Sequence, residues 1–271
     1  MLNAHLAVSA RKSHVVLMAV IIGTLALIAA VSLPPVQAVN AQMQPPPKDV
    51  EACQSCHGSR GISTGSTIPN LAGQKRDYLA AQLLAFKNKE RKNDIMESIA
   101  GQLSEEEIHD LANYWSTLPA APVDDHSPAA PSVAIHSRMT FPASFPAGFT
   151  VYQTVNEDGT VTKRYVNAVA LNAARAGKPL PDGSMIVGVT YEAQKDASGA
   201  VVAGAVKSYA AMGSQAGWDK GIPALLQNGD WDYAVFDKDR VRRDALNEAQ
   251  CLACHKSQAA NSYVFTLKAM K

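Results

Sequence analysis

Two short stretches hold every cysteine of the chain: "CQSCHG", with Cys53, Cys56 and His57, and "CLACHK", with Cys251, Cys254 and His255. Two thiols one helical turn apart can each join a vinyl group of one porphyrin, and the adjacent histidine can turn its imidazole onto the iron. The same four cysteines would also serve two local disulfides, a redox-active dithiol, or one zinc site assembled from both pairs. Each of those leaves both histidines without a task. With no cysteine left over, the spacing implies two covalently attached c-type haems, with iron bound by His57 and His255.

Elements must hold these motifs in place. The stretch "KRDYLAAQLLAFKNKER" puts Tyr78, Leu79, Leu83 and Phe86 on one stripe and predicts a helix over 75–91. Ser104 with Glu107 reads as a capping box opening a second helix that ends near Leu118. The Pro- and Ala-rich run "PAAPVDDHSPAAPSVAIHS", 119–137, reads as a semi-stiff linker between two domains. Beyond it, "FTVYQTV" and "TVTKRYVN" flank the turn "NEDG" as a hairpin. A short helix follows at "ALNAARAGK", stopped by Gly177. Further strands are expected at "GSMIVGVTYEAQ", "AGAVKSYAAMG" and "GDWDYAVFD", with the second motif on a short last helix. The expected fold is an all-α first domain and an α+β second domain with a mainly antiparallel sheet. The boundaries are a spacer at 42–49, a first domain at 50–118 and a second at 138–271.

The N-terminus carries Arg11, Lys12 and His14, then an apolar run from Val15 to Leu33 and small-residue sites at Ala38 and Ala41. Residues 1–41 read as a secretory signal, or as an uncleaved anchor if the apolar run is retained in a membrane. Either implies export, expected to be periplasmic, with a membrane partner only in the anchored case. Across 271 residues, 25 Lys and Arg against 24 Asp and Glu give a net charge of +1, and no basic surplus points to nucleic acid.

The segment from Cys53 to Leu118 resembles the small class I bacterial cytochromes c. The order "CQSCHG", "IPNLAGQKRDYLAAQLLAFK", a lone Met and "LSEEEIHDLANYW" follows that family's haem site, Pro-containing loop, helix, ligand loop and closing helix. The resemblance implies His57 as proximal ligand, Met96 as distal ligand, and the Pro69 carbonyl as partner of the proximal imidazole. A Met ligand favours ferrous iron; the competing role for Met96 is core filling. His109, among Glu106, Glu107 and Asp110, is expected on the solvated face.

The segment from Phe141 to Thr266 resembles the cytochrome P-460 family, which includes the cytochromes c-prime-beta. "FPASFPAGF", "RYVNAVALNAARAGKPLPDGSMIV", "GDWDYAVF" and the closing "CLACHKSQAANSYVFT" carry the resemblance. It implies a sheet over the haem's distal face and an open sixth position, which suits a motif so near the C-terminus. His126 and His136 lie in the linker stretch, leaving His255 as the one histidine of the second domain proper; Met139, Met185, Met212 and Met270 are read as core or surface. Family members that oxidise hydroxylamine carry a Lys cross-linked to the porphyrin on the strand after a "DGT" turn, where this chain has Gly188. Lys178, Lys195 and Lys207 stand elsewhere, and Ser262 replaces the family's acidic residue before "YVFT". Tyr165, Met185, Tyr233 and Phe236 are candidate pocket walls, with no catalytic residue assigned.

These readings imply an exported dihaem cytochrome that transfers electrons. Its second haem would bind and convert a small nitrogenous molecule such as hydroxylamine or nitric oxide, and its first would pass electrons to an external carrier. The alternatives are capture of nitric oxide or carbon monoxide, as in c-prime-beta proteins, and a plain dihaem carrier. Enzymatic turnover stays open, and a dimer of the second domain is among the expected partnerships.

Overall fold

A computed structural model describes residues 45–120 and 134–271, which fall in one compact unit, Pro45–Lys271. The apolar run at 15–33, the small-residue sites at Ala38 and Ala41, His126 and residues 121–133 of the Pro/Ala stretch lie outside the described residues. No described helix is long and apolar enough to cross a membrane.

Four helices build the first half: α1 (Val50–His57), α2 (Arg76–Lys87), α3 (Asp94–Ala100) and α4 (Glu105–Thr117). Helical spacing in α4 turns Ile108, Leu111, Ala112 and Trp115 inward, each at most 2% exposed, while His109 stays exposed. The capping box is present: Ser104 Oγ accepts from the Glu107 N–H at 3.1 Å, and Glu107 Oε2 accepts from the Ser104 N–H at 2.8 Å. The ligand loop expected around Met96 is instead the helix α3. Its cause is local, because Asn93 Oδ1 accepts from the Met96 N–H at 3.0 Å and Glu97 Oε1 from the Asn93 N–H at 3.2 Å.

The second half is a five-stranded antiparallel meander in the order β1 (Phe149–Glu157), β2 (Thr160–Asn167), β3 (Met185–Lys195), β4 (Val201–Ser214) and β5 (Trp231–Asp237). Helix α5 (Ala168–Arg175) leads out of β2, and α6 (Ala249–Lys256) carries the second motif. Alternation sends Val187, Val189, Tyr209, Ala211, Ala234 and Phe236 to one face, where Phe141, Phe145 and Phe149 cover them. The other face offers Val166, Ile186, Met212 and Tyr233 to α5 and α6. Residues at the end of the presumed linker are tied in as well: Ile135 is 8% exposed, and Asp232 accepts from the Ser137 hydroxyl and, at 2.9 Å, from the Arg138 N–H.

Glu107 gives this fold a measurable acid response. Its carboxyl is held down to about 2 from 4.5, first by the Ser104 N–H it accepts, then by Lys48 and the Ser104 hydroxyl. A carboxyl whose folded pKa is depressed stabilises fully above its unfolded value and ceases to as pH falls through the folded one. The stability gap between wild type and Glu107→Gln in urea unfolding is therefore expected to be constant above pH 4.5 and to close towards pH 2.

Candidate haem centres

At the first centre, α1 presents Cys53, Cys56 and His57, and Gly58 ends the helix at φ +85°. A Cβ there would lie 2.1 Å from the Ile62 carbonyl oxygen, so the turn after His57 requires glycine. The His57 Nδ1–H donates to the Pro69 carbonyl at 2.7 Å, and burial lowers the imidazole pKa, outweighing the Pro69 hydrogen bond that raises it. With Nδ1 committed, Nε2 is the nitrogen left for a metal. Cys53, Cys56, His57 and Met96 line one cavity of about 390 Å³, walled by Leu79, Phe86, Ile99, Leu111 and Trp115. Two thiols, an imidazole and a thioether around an apolar cavity of that size fit a c-type haem.

At the second centre, the His255 Nδ1–H donates to the Tyr263 carbonyl at 2.7 Å, and burial again lowers the imidazole pKa. Ser262 and Tyr263 are both left-handed, at φ +53° and +61°, which aims that carbonyl back at the motif. Ser262 Oγ accepts from the Leu180 N–H at 3.1 Å, the use made of the position where the family has an acid. The His255 ring lies 4.5 Å from Tyr233 and 5.0 Å from Phe265. Behind Tyr233, Asn228 is buried and donates both to the Tyr233 hydroxyl at 3.1 Å and to the Leu252 carbonyl at 2.8 Å.

The sheet leaves room beside this motif. One row across it reads Gln153, Arg164, Gly188, Ala210 and Val235, and Val235 shares a small pocket with Tyr233 and Cys251. Ala210 is exposed in mid-sheet, and a Cβ on Gly188 would meet nothing nearer than the Ala210 carbonyl at 3.6 Å. The pocket there holds only about 30 Å³ and is lined by Cys251 but not by Cys254 or His255, so the case for a second haem rests on the motif and on the committed Nδ1 of His255.

The competing readings of the cysteines find no support in the geometry. All four thiols are free, and no three described His, Cys, Asp or Glu residues converge as a metal site. A redox dithiol needs a depressed thiol pKa, whereas burial pushes Cys53 up to about 12 and Cys251 up to about 11, and raises Cys56 and Cys254.

Of the four candidate pocket walls, only Tyr233 faces His255. Tyr165, Met185 and Phe236 pack on the opposite, aromatic face with Met139, while Met212 and Met270 belong to the main core. Lys178, Lys195 and Lys207 are exposed. His136, assigned by composition to the linker, lines the small pocket with Cys251 and Tyr233; nothing in its sequence surroundings signals that position. The largest surprise lies between the centres: Gln250 and Ala253 of α6, each adjacent to a cysteine of the second motif, line the first cavity together with Leu226.

Comparison with known proteins agrees with this division. The cytochrome c family model matches residues 49–119 and the Cytochrome P460 model residues 142–266. The chain is 35% identical over 71 residues to cytochrome c-554(548) of Halomonas halodenitrificans, covering 25% of this chain and 86% of that protein. It is 38% identical over 74 residues to the thiosulfate dehydrogenase electron acceptor of Stutzerimonas stutzeri, covering 26% and 34% of the two chains. With cytochrome c4 of Thiocapsa roseopersicina it shares 41% identity over 70 residues, covering 26% and 36%. The chain thus spans about a third of the length of the last two proteins.

The support behind His255 is open to test. Asn228→Ala strips the Tyr233 hydroxyl and the Leu252 carbonyl of a buried partner and is expected to cost about 2 kcal/mol in urea unfolding. Tyr233→Phe, which leaves the Leu252 bond intact, is expected to cost about 1 kcal/mol.

Proposed function

The chain belongs to the cytochrome c family and carries a Cytochrome P460 domain behind its cytochrome c domain, and on that premise we propose that it is an exported dihaem electron-transfer protein. In this reading the second centre takes up a small nitrogenous molecule such as hydroxylamine or nitric oxide, and electrons leave through the first centre to an external carrier. The observation that carries it is the shared wall, because α6 both holds Cys251 and Cys254 and closes the first cavity with Gln250 and Ala253.

Each c-type haem supplies one-electron redox chemistry when bound. The protein's own groups do the rest. Pro69 and Tyr263 hold the Nδ1 protons of His57 and His255, leaving Nε2 of each ring for iron. Met96, on the lining of the first cavity, would supply a second ligand to a haem iron held there, which supports a centre devoted to electron transfer. At the second centre His136 lines the small pocket with Cys251 and Tyr233 and is the residue to test as a second ligand. The reading of an iron open to a small ligand is supported by the match to the Cytochrome P460 model. An external redox partner is supported by the likeness to the thiosulfate dehydrogenase electron acceptor of Stutzerimonas stutzeri. The N-terminal apolar run supports export into the periplasm.

Gly188 favours a second reading, in which the open centre captures nitric oxide or carbon monoxide without turnover. Glycine offers no side chain for a covalent link to the porphyrin from the central strand row.

Absorption spectra of oxidised and dithionite-reduced protein, with and without carbon monoxide, decide among these. Two haems per chain, ordinary c-type bands and a carbon monoxide response from half the haem are expected, with Cys251→Ala/Cys254→Ala retaining one haem that no longer responds. Met96→Ala is expected to make the first centre respond too. No carbon monoxide response in wild type would overturn the open second centre, and a far-red ferrous Soret band would restore the cross-linked, hydroxylamine-oxidising alternative.

A further inference from the structure

The shared wall raises the question of what fixes one centre against the other. Asn247, just ahead of α6, has its whole amide engaged. Its Oδ1 accepts from the N–H of Ala249, the first residue of the helix that carries Cys251, Cys254 and His255, at 3.0 Å, and from the Ile135 N–H at 3.3 Å. Its Nδ2 donates across to the carbonyl of Ser55, which lies between Cys53 and Cys56 on α1. Carbonyls in the last turn of a helix run short of intrahelical partners, so a donor from outside is readily accepted there. One side chain thus bonds the backbone of both motif helices. Close approach is permitted by the small buried residues Ala52 on α1 and Ala249 and Ala253 on α6. A second strut lies further along, where Gln102 Nε2 donates to the Leu225 carbonyl at 3.2 Å.

We propose that Asn247 is a positioning residue for electron transfer between the two haems, holding the helices that carry them at one fixed separation and orientation through its bond to the Ser55 carbonyl. This rests on the dihaem reading above. The step itself moves one electron from the iron of one centre to the iron of the other, oxidising the first and reducing the second, with no bond made or broken. Its rate therefore depends on geometry, and small displacements of reacting centres carry large rate penalties.

The amide's two ends can be separated by mutation. Asn247→Asp keeps the acceptor for Ala249 and Ile135 but removes the donor and sets a carboxylate against the Ser55 carbonyl. Asn247→Ala removes both functions. The experiment uses full-length protein with both haems, half-reduced and carrying carbon monoxide on the second centre; after a photolysis flash, absorbance reports the approach to equilibrium between the centres. In Asn247→Asp this relaxation is expected to slow about tenfold with haem content unchanged, and the unfolding temperature is expected to fall because a carboxylate then faces the Ser55 carbonyl. Asn247→Ala is expected to slow it similarly and to unfold at lower temperature through loss of its bonds to Ser55, Ala249 and Ile135.

Relaxation in folded Asn247→Asp at the wild-type rate would overturn the role of Asn247. Should that variant fail to fold, Asn247→Ser carries the test, since its short hydroxyl can accept from the Ala249 N–H without reaching Ser55, and a wild-type rate there has the same meaning. No relaxation between the centres in wild type would instead overturn the dihaem electron-transfer reading on which the proposal stands.

Discussion

An imidazole can serve iron dependably only when its other nitrogen is already committed, and in this chain each commitment is to a backbone carbonyl at 2.7 Å. The two carbonyls are delivered by different backbone devices. After His57 the chain turns at Gly58, where no other residue fits, and returns with Pro69. After His255 it returns much sooner, through two successive left-handed non-glycine residues, Ser262 and Tyr263. Such conformations persist only where surroundings enforce them. The enforcement is visible: Val264 and Met270 are each 2% exposed, Ser262 Oγ holds the Leu180 N–H, and the Tyr152 hydroxyl and Thr266 Oγ1 lie 2.7 Å apart. The stretch from Ser262 to Met270 is therefore a clamp for the histidine of the second motif.

A cytochrome c domain and a Cytochrome P460 domain joined by a proline-rich segment suggest two bodies on a tether. A tether raises effective concentration but leaves orientation to chance. Here one hydrophobic core runs through both halves, from Leu79, Ile108 and Trp115 to Leu226, Trp231 and Leu252. Packing of that kind is close and rotamer-specific, so it fixes direction as well as distance. Ala52, Ala249 and Ala253 are buried in this core, where larger side chains would have to be accommodated at a cost in packing.

Much of this was legible in the sequence. The helices around Leu83 and Leu111 and the hairpin about "NEDG" announced themselves because each buries one face and the burial period appears directly in the residues. Helix α3 was missed because it is seven residues long and owes its start to side-chain caps from Asn93 and Glu97 rather than to periodicity. Pocket walls fared worse for a geometric reason. Strand alternation tells which residues share a face but not which face meets the cofactor. Tyr233 and Phe236, three apart on β5, necessarily point opposite ways, and only Tyr233 turned out to meet His255. The contact between domains had no sequence signature at all: Asn247 sits in "ALNEAQ", and only the fold brings it to Ser55.

The polar residues around the start of α6 extend the same logic to the incoming chain. Asp232 and Glu248 are buried at 2% and 5% exposure, and burial, then the neighbouring Asp232 charge, raise the Glu248 carboxyl well above the ordinary range. Such a pair is costly unless its oxygens are used, and they are. Asp232 accepts from Ser137 and Arg138, Glu248 Oε1 accepts from the Tyr233 N–H at 2.8 Å, and the Glu248 N–H donates to the Ile135 carbonyl at 2.9 Å. Apolar packing alone would tolerate a slide of residues 135–138 along the sheet, whereas these directional bonds admit one register. Ile135 is also bonded by Asn247, so the entry of the second domain, the start of its motif helix and the first motif helix are all referred to the same few atoms. The geometry between the centres is thereby set by a buried polar joint that a slide of the chain would have to break as a whole.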